Sequence, residues 1–274
     1  KGGVLNYIYN LLIKIMYNKA DNIVAVSQLL ANSLIMDYGI KKEKITVIYN
    51  PYDINEINML ANEEIEPTYA DFLKNSNSIV SVGRLEHQKG YWHLIKSFKI
   101  VSDSIPNAKL IIIGEGQQKT RIVDLIHKLN IEKRVLMLGY QDNPFKFIKR
   151  SDVYVQTSLF EGFPNALVEA MACNKPVIST DCKSGPREIL YKNSDLNNVA
   201  REIEYADYGI LVPPLNDRED WSTNIEVCDK VLAQAITQVL NDNNIKIDYG
   251  NKAFERTKEF DYVRCRQKFA EIIE

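Results

Sequence analysis

The sequence predicts an α/β protein with a doubly wound, mostly parallel sheet. Short apolar strand patterns alternate with amphipathic helix patterns along the chain, as in this fold class. The strand patterns are rich in Ile and Val and apolar on both faces, which is typical of a sheet covered by helices on both sides. They are Asn22–Val26, Ile45–Tyr49, Ser78–Val82, Lys109–Ile113, Val135–Leu138, Val153–Gln156, Pro176–Ser179 and Gly209–Val212.

The helix patterns between these strands carry apolar residues at helical spacing. Trp92, Ile95 and Phe98 form one such stripe, and three further patterns follow later in the chain. Those three are Ile122–Leu129, Ala166–Ala172 and Lys230–Leu240. His93 and His127 lie within helix patterns, and we interpret them as structural.

A domain boundary is predicted at Asn50-Pro51, because a proline disfavours helix in the residue before it. Residues 1–50 have the pattern helix, strand, helix, strand and are interpreted as the last elements of a preceding domain. Residues 51–251 are expected to form a Rossmann-like unit, in which a polar stretch, Asn55–Asn77, precedes the first strand, and 252–274 are expected to form one or two terminal helices. The chain starts in mid-pattern at Lys1, so we expect a region before it.

Composition excludes several functional classes. The net charge is −2, from 34 basic and 36 acidic side chains among 274 residues, so nucleic acid is not an expected partner. The four cysteines form no C-x-x-C pair, which leaves no zinc spacing and fits a reducing cytosol. No apolar run is long enough to span a bilayer.

Five loops that follow strands carry the candidate chemistry, since ligands of open parallel sheets bind beyond the carboxyl ends of the strands. Arg84 and Lys89 bring two cations to this edge, and such a pair suits a diphosphate. For an arbitrary pair of loop charges, solvation at the surface is the more common explanation. The loops are Gly83–Gly90, Gly114–Gly116, Gly139–Tyr140, Ser158–Pro164 and Thr180–Glu188.

Glu161 and Glu169 form an E-x7-E pattern around the start of a predicted helix, Pro164–Cys173. Pro164 fits the first helical turn, where its missing N–H costs nothing. The helix amino end carries free N–H groups and a positive dipole, which suit an anion. One carboxylate could hold a ribose and the other a sugar ring; the alternative is a capping Glu plus a surface Glu. Glu115 and Glu188 are interpreted as solvated loop charges.

The absence of several short motifs excludes or disfavours further classes of enzyme. No G-x-G-x-x-G opens a helix, which disfavours a nicotinamide dehydrogenase, and no G-x-x-x-x-G-K-[ST] phosphate loop exists. There is also no G-x-S-x-G nucleophile elbow. No D-x-D pair is available for a metal–diphosphate complex, so side chains and helix ends must meet the phosphate charge.

Four ordered motifs resemble the carboxyl-terminal domain of family 4 glycosyltransferases, and the resemblance extends over Asp21–Phe260. They are VGRLEHQKG (82–90), LIIIGEG (110–116), VLMLGYQDNP (135–144) and SLFEGFPNALVEAMACNKPVISTD (158–181). The resemblance implies a GT-B fold, with two Rossmann-like domains and the active site between them. This chain would hold only the end of the amino-terminal, acceptor domain, and 252–274 would cross back toward that domain.

The resemblance also implies a role for individual residues. Arg84 and Lys89 correspond to the pair that binds the donor diphosphate, Glu161 to the residue that contacts the donor sugar, and Glu169 to the residue that holds the ribose. Gly139 and Tyr140 correspond to the strand end that meets the base. The implied catalytic residues are Glu161, Arg84 and Lys89, and the donor-binding residues are Gly83, Arg84, Lys89, Gly139, Tyr140, Glu161, Gly162, Phe163, Pro164, Asn165 and Glu169. The family's G-x-P-E loop is interrupted here by Arg187, so that loop is assigned no role.

The implied activity is transfer of a hexose from a nucleotide-diphosphate donor, such as a UDP- or GDP-sugar, to an acceptor hydroxyl with retention and without a metal or cofactor. The abundance of Asn, Lys and Ile indicates a bacterial source and polysaccharide or glycolipid synthesis. We expect a sugar or lipid-linked sugar acceptor and a cytoplasmic location, at the inner face of the membrane if the preceding domain associates with it. Alternatives are another GT-B nucleotide-sugar enzyme, such as an epimerase, and a non-catalytic nucleotide-binding module.

Overall fold

The computed structural model describes residues 4–193 and 195–273. The chain divides into two compact units, one of Lys1–Tyr52 with Phe260–Glu274 and the other of Asp53–Glu259. The strands are β1 Ile23–Ala25, β2 Ile45–Val47, β3 Asn77–Val82, β4 Ala108–Ile113, β5 Val135–Gly139, β6 Val153–Gln156, β7 Val177–Thr180, β8 Glu204–Tyr205 and β9 Ile210–Val212. The helices are α1 Val4–Lys19, α2 Gln28–Met36, α3 Ile54–Ala61, α4 Pro67–Leu73, α5 Tyr91–Ser104, α6 Lys119–Lys128, α7 Phe145–Arg150, α8 Asn165–Ala172, α9 Pro186–Leu190, α10 Val227–Asn241, α11 Asn243–Thr257 and α12 Tyr262–Ile273.

The first unit contains α1, β1, α2, β2 and α12. Its two strands are parallel, with Val24 opposite Thr46. Ser27 caps α2, because its hydroxyl accepts a hydrogen bond from the Leu30 amide at 3.1 Å. The helix–strand–helix–strand order is the order predicted for residues 1–50. Within the described residues, no helix combines the length and the apolar character needed to cross a membrane.

The second unit is built on a seven-stranded sheet in the order β5-β4-β3-β6-β7-β9-β8. All neighbouring pairs are parallel except β8 and β9. The strands are apolar on both faces because helices cover both sides of such a sheet. These observations confirm the predicted fold class. The edge strand β8 was missed, since two residues are too few for a periodic signal.

The strand order changes direction between β3 and β6. The chain passes from β3 to β4 and β5 on one side of the sheet, then returns to place β6 on the other side of β3. Helices that follow β3 and β6 therefore diverge, and a crevice opens at the carboxyl ends of these two strands. The loops that begin at Gly83 and Thr157 border this crevice.

Two helices occupy most of the polar stretch Asn55–Asn77, to which no secondary structure was assigned from the sequence. Helices α3 and α4 are too short to give a clear helical period. A cap and a small apolar face stabilise α3. Asp53 accepts a hydrogen bond from the Glu56 amide at 2.9 Å, and Ile54 and Ile57 are buried.

Candidate active site at the carboxyl end of the sheet

An ion pair joins the loops after β3 and β6 in the crevice between these strands. Lys89 Nζ lies 2.6 Å from Glu161 Oε1. The two side chains are only 17% and 8% exposed. The structure thus brings together one predicted cation and one predicted carboxylate at the point where ligands of this fold class bind.

Two glycines allow the Lys89 loop to reach this position. The stem of Lys89 passes over Gly83, where a Cβ atom would lie 3.2 Å from Lys89 Cε. Gly90 has φ 59°, and a Cβ atom there would lie 2.4 Å from the Thr157 carbonyl oxygen. The Thr157 hydroxyl also donates to the Lys89 carbonyl at 2.8 Å. The loops after β3 and β6 are therefore packed backbone to backbone.

The Glu161 carboxylate has two further donors. The Ser158 hydroxyl donates to Oε1 at 2.6 Å, and Gln88 Nε2 donates to Oε2 at 3.2 Å. The Glu161 carbonyl accepts a hydrogen bond from the Ser184 hydroxyl, which ties the loop after β7 to the same site. Sequence reasoning missed Gln88, Ser158 and Ser184, because a polar residue in a loop gives no signal of its partner.

Helix α8 begins beside Glu161. Pro164 is its N-cap, so the helix is one residue shorter at each end than the predicted Pro164–Cys173. Gly162 is exposed, and a Cβ atom there would meet no described atom within 4 Å. Phe163 is buried and Asn165 is exposed. Open space thus borders Gly162, which precedes the amino end of α8 by three residues, and the backbone N–H groups of a helix amino end favour an anion.

Glu169 lies on α8 and is half-buried. Burial raises the pKa of this carboxyl group above its usual value. Within the described part of the chain, no side chain donates a hydrogen bond or a positive charge to it. A half-buried carboxylate without such a partner is an available acceptor for the hydroxyl groups of a ligand.

The other predicted donor-binding residues lie on neighbouring loops. The Arg84 side chain is 70% exposed and lies 3.4 Å from Glu86, so it does not join the Lys89–Glu161 pair. Tyr140 is 72% exposed beyond β5. Gly139 has φ 70°, and its carbonyl accepts a hydrogen bond from the Gly114 amide at 2.8 Å.

The segment after β7 contains two buried charged residues, Arg187 and Glu188, and one of them was expected to be exposed. Glu188 was interpreted as a solvated loop charge, but both residues are only 6% exposed. Arg187 donates to Asp181 Oδ2 from Nε at 2.9 Å and to Glu204 Oε2 from Nη2 at 2.8 Å. The arginine that departs from the family's loop pattern is thus a buried link between the β7 loop and β8, and no local pattern identifies its partners.

One group of side chains among the described residues has a spacing that could hold a metal, namely His93, Cys228 and Asp229. His93 Nδ1 lies 2.5 Å from Asp229 Oδ1, and His93 Nε2 lies 2.9 Å from the Asn216 carbonyl. Burial lowers the pKa of His93, but hydrogen bonds with Asp229, Cys228 and Asn216 raise it to about 10. Both ring nitrogens therefore carry protons, and the group is an ion pair rather than a set of free ligands.

Two family models match the chain. The model described as glycosyl transferases group 1 matches residues 64–214, and the model described as glycosyltransferase family 4 matches residues 2–56. The first match includes the loops after β3, β4, β5, β6 and β7, and with them the predicted site residues.

Curated relatives agree with this assignment. An uncharacterised glycosyltransferase of Methanocaldococcus jannaschii is 39% identical over the whole chain, which covers 68% of that protein. The N-acetylgalactosamine-N,N'-diacetylbacillosaminyl-diphospho-undecaprenol 4-alpha-N-acetylgalactosaminyltransferase of Campylobacter jejuni is 31% identical over 96% of the chain. The chain spans 63% of the length of this second protein.

Solved structures share the fold. HepE of Anabaena in complex with UDP superposes with a TM-score of 0.79 at 23% identity, over 100% of this chain and 69% of that one. HepE has also been solved with UDP-glucose. These similarities confirm the predicted GT-B type of α/β fold and the resemblance to family 4 enzymes. The chain belongs to the group 1 family of glycosyl transferases.

Proposed function

We propose that this chain binds the nucleotide-diphosphate sugar for a retaining hexosyl transfer to an acceptor hydroxyl. The observation that carries the proposal is the Lys89–Glu161 pair at the β3–β6 crevice, 2.6 Å apart and next to the open space at Gly162. A cation, a carboxylate and a helix amino end together match a diphosphate that carries a sugar.

Each charged group has a chemical role in this proposal. Lys89 has three N–H donors, and one of them is used by Glu161, so two can reach the oxygens of the diphosphate. Arg84 adds a planar guanidinium from the exposed loop. Together with the amino end of α8 they stabilise the negative charge that develops as the nucleotide diphosphate leaves. In this proposal the positive charges of Lys89, Arg84 and the helix amino end neutralise the diphosphate in place of a bound metal ion.

The remaining contacts orient the donor. Glu161 accepts a hydroxyl of the transferred sugar, and Glu169 accepts the ribose hydroxyls. The backbone of Gly162–Asn165 approaches the sugar and phosphate, and Gly139 with Tyr140 meets the base. HepE, which shares the fold, binds UDP and UDP-glucose. A uridine or guanosine diphosphate sugar is accordingly the proposed donor.

The acceptor is proposed to be a sugar or a lipid-linked sugar in bacterial polysaccharide or glycolipid synthesis. The Campylobacter jejuni relative is named as acting on a diphospho-undecaprenol-linked sugar. In this proposal residues 1–50 belong to the acceptor domain, 51–251 bind the donor, and 252–274 return to the acceptor domain. The grouping of Phe260–Glu274 with residues up to Tyr52 supports that return. The proposed site of action is the cytoplasm, at the inner face of the membrane.

Isothermal titration calorimetry of the chain against UDP, GDP, ADP and UDP-glucose tests the proposal. We expect at least one nucleoside diphosphate to bind, with equal affinity in magnesium and in EDTA. We also expect Glu169→Ala to weaken that binding. Failure of every nucleoside diphosphate to bind would contradict the proposal, and unchanged affinity in Glu169→Ala would remove the ribose assignment.

A further inference from the structure

We infer that Ser158 and Gln88 are positioning residues that hold the Glu161 carboxylate so that Oε2 receives the hydroxyl of the donor sugar. The inference rests on the proposed function. It assigns one oxygen of Glu161 to the protein and the other to the ligand, and it names the side chains that impose this division.

The two oxygens of Glu161 are not equivalent. Oε1 accepts two short hydrogen bonds, from Lys89 Nζ and from the Ser158 hydroxyl, both at 2.6 Å. Oε2 accepts one long bond from Gln88 Nε2, at 3.2 Å. Each carboxylate oxygen accepts about two hydrogen bonds. Oε1 is therefore saturated by described residues, and Oε2 has an acceptor position left.

Ser158 is itself fixed by the fold. Its side chain is completely buried, so its hydroxyl cannot touch a ligand and acts only through Glu161. The Ser158 carbonyl accepts a hydrogen bond from the Thr180 hydroxyl at 2.5 Å. The serine is thus tied to the end of β7, and its hydroxyl is a rigid donor to Oε1.

Gln88 is fixed in the same way from the other loop. The side-chain Nε2 of Gln88 also donates to the Phe160 carbonyl at 2.8 Å, and the backbone carbonyl of Gln88 accepts a hydrogen bond from the Leu159 amide at 2.8 Å. The side-chain amide of Gln88 therefore bridges the Phe160 carbonyl, just before Glu161 in the chain, and the Glu161 carboxylate. This contact limits the rotation of the carboxylate about the side-chain axis.

Ser158 and Gln88 are needed because, in the proposed function, Lys89 binds two anions, the Glu161 carboxylate and the diphosphate of the donor. When the diphosphate binds, its oxygens compete with Glu161 for the Lys89 ammonium group, and that ion pair weakens. Ser158 and Gln88 keep the carboxylate in place while this happens. The direction of Oε2 then does not depend on which partner Lys89 holds, and the sugar hydroxyl meets a preorganised acceptor.

The test compares the affinities of UDP and UDP-glucose by calorimetry in Ser158→Ala and in Gln88→Leu. The ratio of the two dissociation constants isolates the contribution of the sugar. We expect each variant to bind UDP within about twofold of the wild type and to lose roughly three- to tenfold of the sugar contribution, the range of one ordinary net hydrogen bond, since each residue acts on the sugar only through Glu161. Ser158→Thr retains the hydroxyl and is expected to recover the wild-type ratio.

Ser104→Ala and Gln234→Leu are the matched controls, since both residues lie on helices outside the strand-end loops and both substitutions remove the same polar groups. Unchanged ratios in Ser158→Ala and Gln88→Leu would overturn the inference, and so would an equal loss of affinity for UDP and UDP-glucose, which indicates a general loop defect. If Ser158→Ala does not fold, Gln88→Leu decides alone. A wild-type chain that binds no nucleoside diphosphate defeats the proposed function instead, so the two failures are distinguishable.

Discussion

Two ion pairs begin within one short stretch of the sequence, at Lys89 and at His93, and they differ in how completely their hydrogen bonds are satisfied. His93 and Asp229 are fully buried, and both protons of the His93 ring are used, by Asp229 and by the Asn216 carbonyl. Lys89 and Glu161 are partly exposed, and one of three Lys89 donors is used by Glu161. The first pair connects α5 to α10, and the second connects two strand-end loops.

The difference separates a structural pair from a binding site. A buried charge is tolerated where its partner and its remaining hydrogen bonds are all supplied by the protein. His93 meets this condition. Lys89 and Glu169 retain unused hydrogen-bonding capacity, which a protein keeps at a cost in stability and a ligand can use. The comparison therefore predicts opposite effects for substitutions in the two pairs.

His93→Leu is expected to have the largest effect, on stability alone. It leaves the Asp229 carboxylate buried without its charged partner, which lowers the free energy of unfolding by about 3–5 kcal/mol. Urea denaturation measures this loss. Nucleotide affinity of the folded variant is expected to stay unchanged, because the His93 side chain bonds to Asp229 and to the Asn216 carbonyl rather than to a residue of the proposed site.

The pH dependence of stability provides the control. The pKa of His93 is raised from 6.5 to about 10, so its contribution to stability is complete below about 6.5 and is lost as the pH rises toward 10. His93→Leu removes this slope, and substitution of the exposed His127 by Ala leaves it intact. A loss of less than about 1 kcal/mol in His93→Leu would contradict the structural role of the pair.

Lys89→Met is expected to act mainly on binding. It removes a charge-assisted contact to the diphosphate worth about 1.5–3 kcal/mol, so the dissociation constant for the nucleoside diphosphate rises roughly 10- to 150-fold. Calorimetry measures the change. Lys99→Met, which removes a lysine paired with Asp103 on α5, is the matched control, and an equal effect in both variants would reject a specific role for Lys89.

Glu169 is expected to make binding depend on pH. Burial raises its pKa in the free protein, and ribose hydroxyl groups bind the ionised carboxylate more strongly than the neutral acid, so binding releases protons and strengthens as the pH rises through that pKa. Calorimetry at several pH values in two buffers measures both effects. Glu169→Gln is expected to lose about tenfold in affinity and the pH dependence with it. A wild-type affinity that does not change with pH would contradict the assignment.

Arg84→Ala is expected to have the smallest effect. The side chain is exposed, so the free energy of unfolding changes by less than about 0.5 kcal/mol. The affinity for the nucleoside diphosphate falls by about two- to fivefold at low salt and by less at high salt, because an exposed charge is screened. Arg264→Ala, also exposed, is the control, and a loss as large as that of Lys89→Met would place Arg84 in the crevice with Lys89.

Much of the fold could be predicted because it depends on local patterns. The strands β3–β7 are short continuous apolar runs and the helices α5, α6 and α8 have a clear apolar period, and the predicted bounds agree with the structure within one or two residues for these strands and for α8. The elements α3, α4 and β8 were missed because they are too short for a period. Glu188 was interpreted wrongly because its burial depends on packing that no local pattern records.

The sequence alone determined which residues lie at the carboxyl edge of the sheet, because strand ends, glycines and Pro164 are read from neighbouring residues. From their charge and their position after predicted strands, it also identified the two cations and two carboxylates expected at this edge, which are Lys89, Arg84, Glu161 and Glu169. Only the tertiary structure decided which of them pair. Lys89 meets Glu161 across 72 residues of sequence, and His93 meets Asp229 across 136. The strand order that brings these loops together is set by packing of the whole sheet, which no periodic pattern encodes.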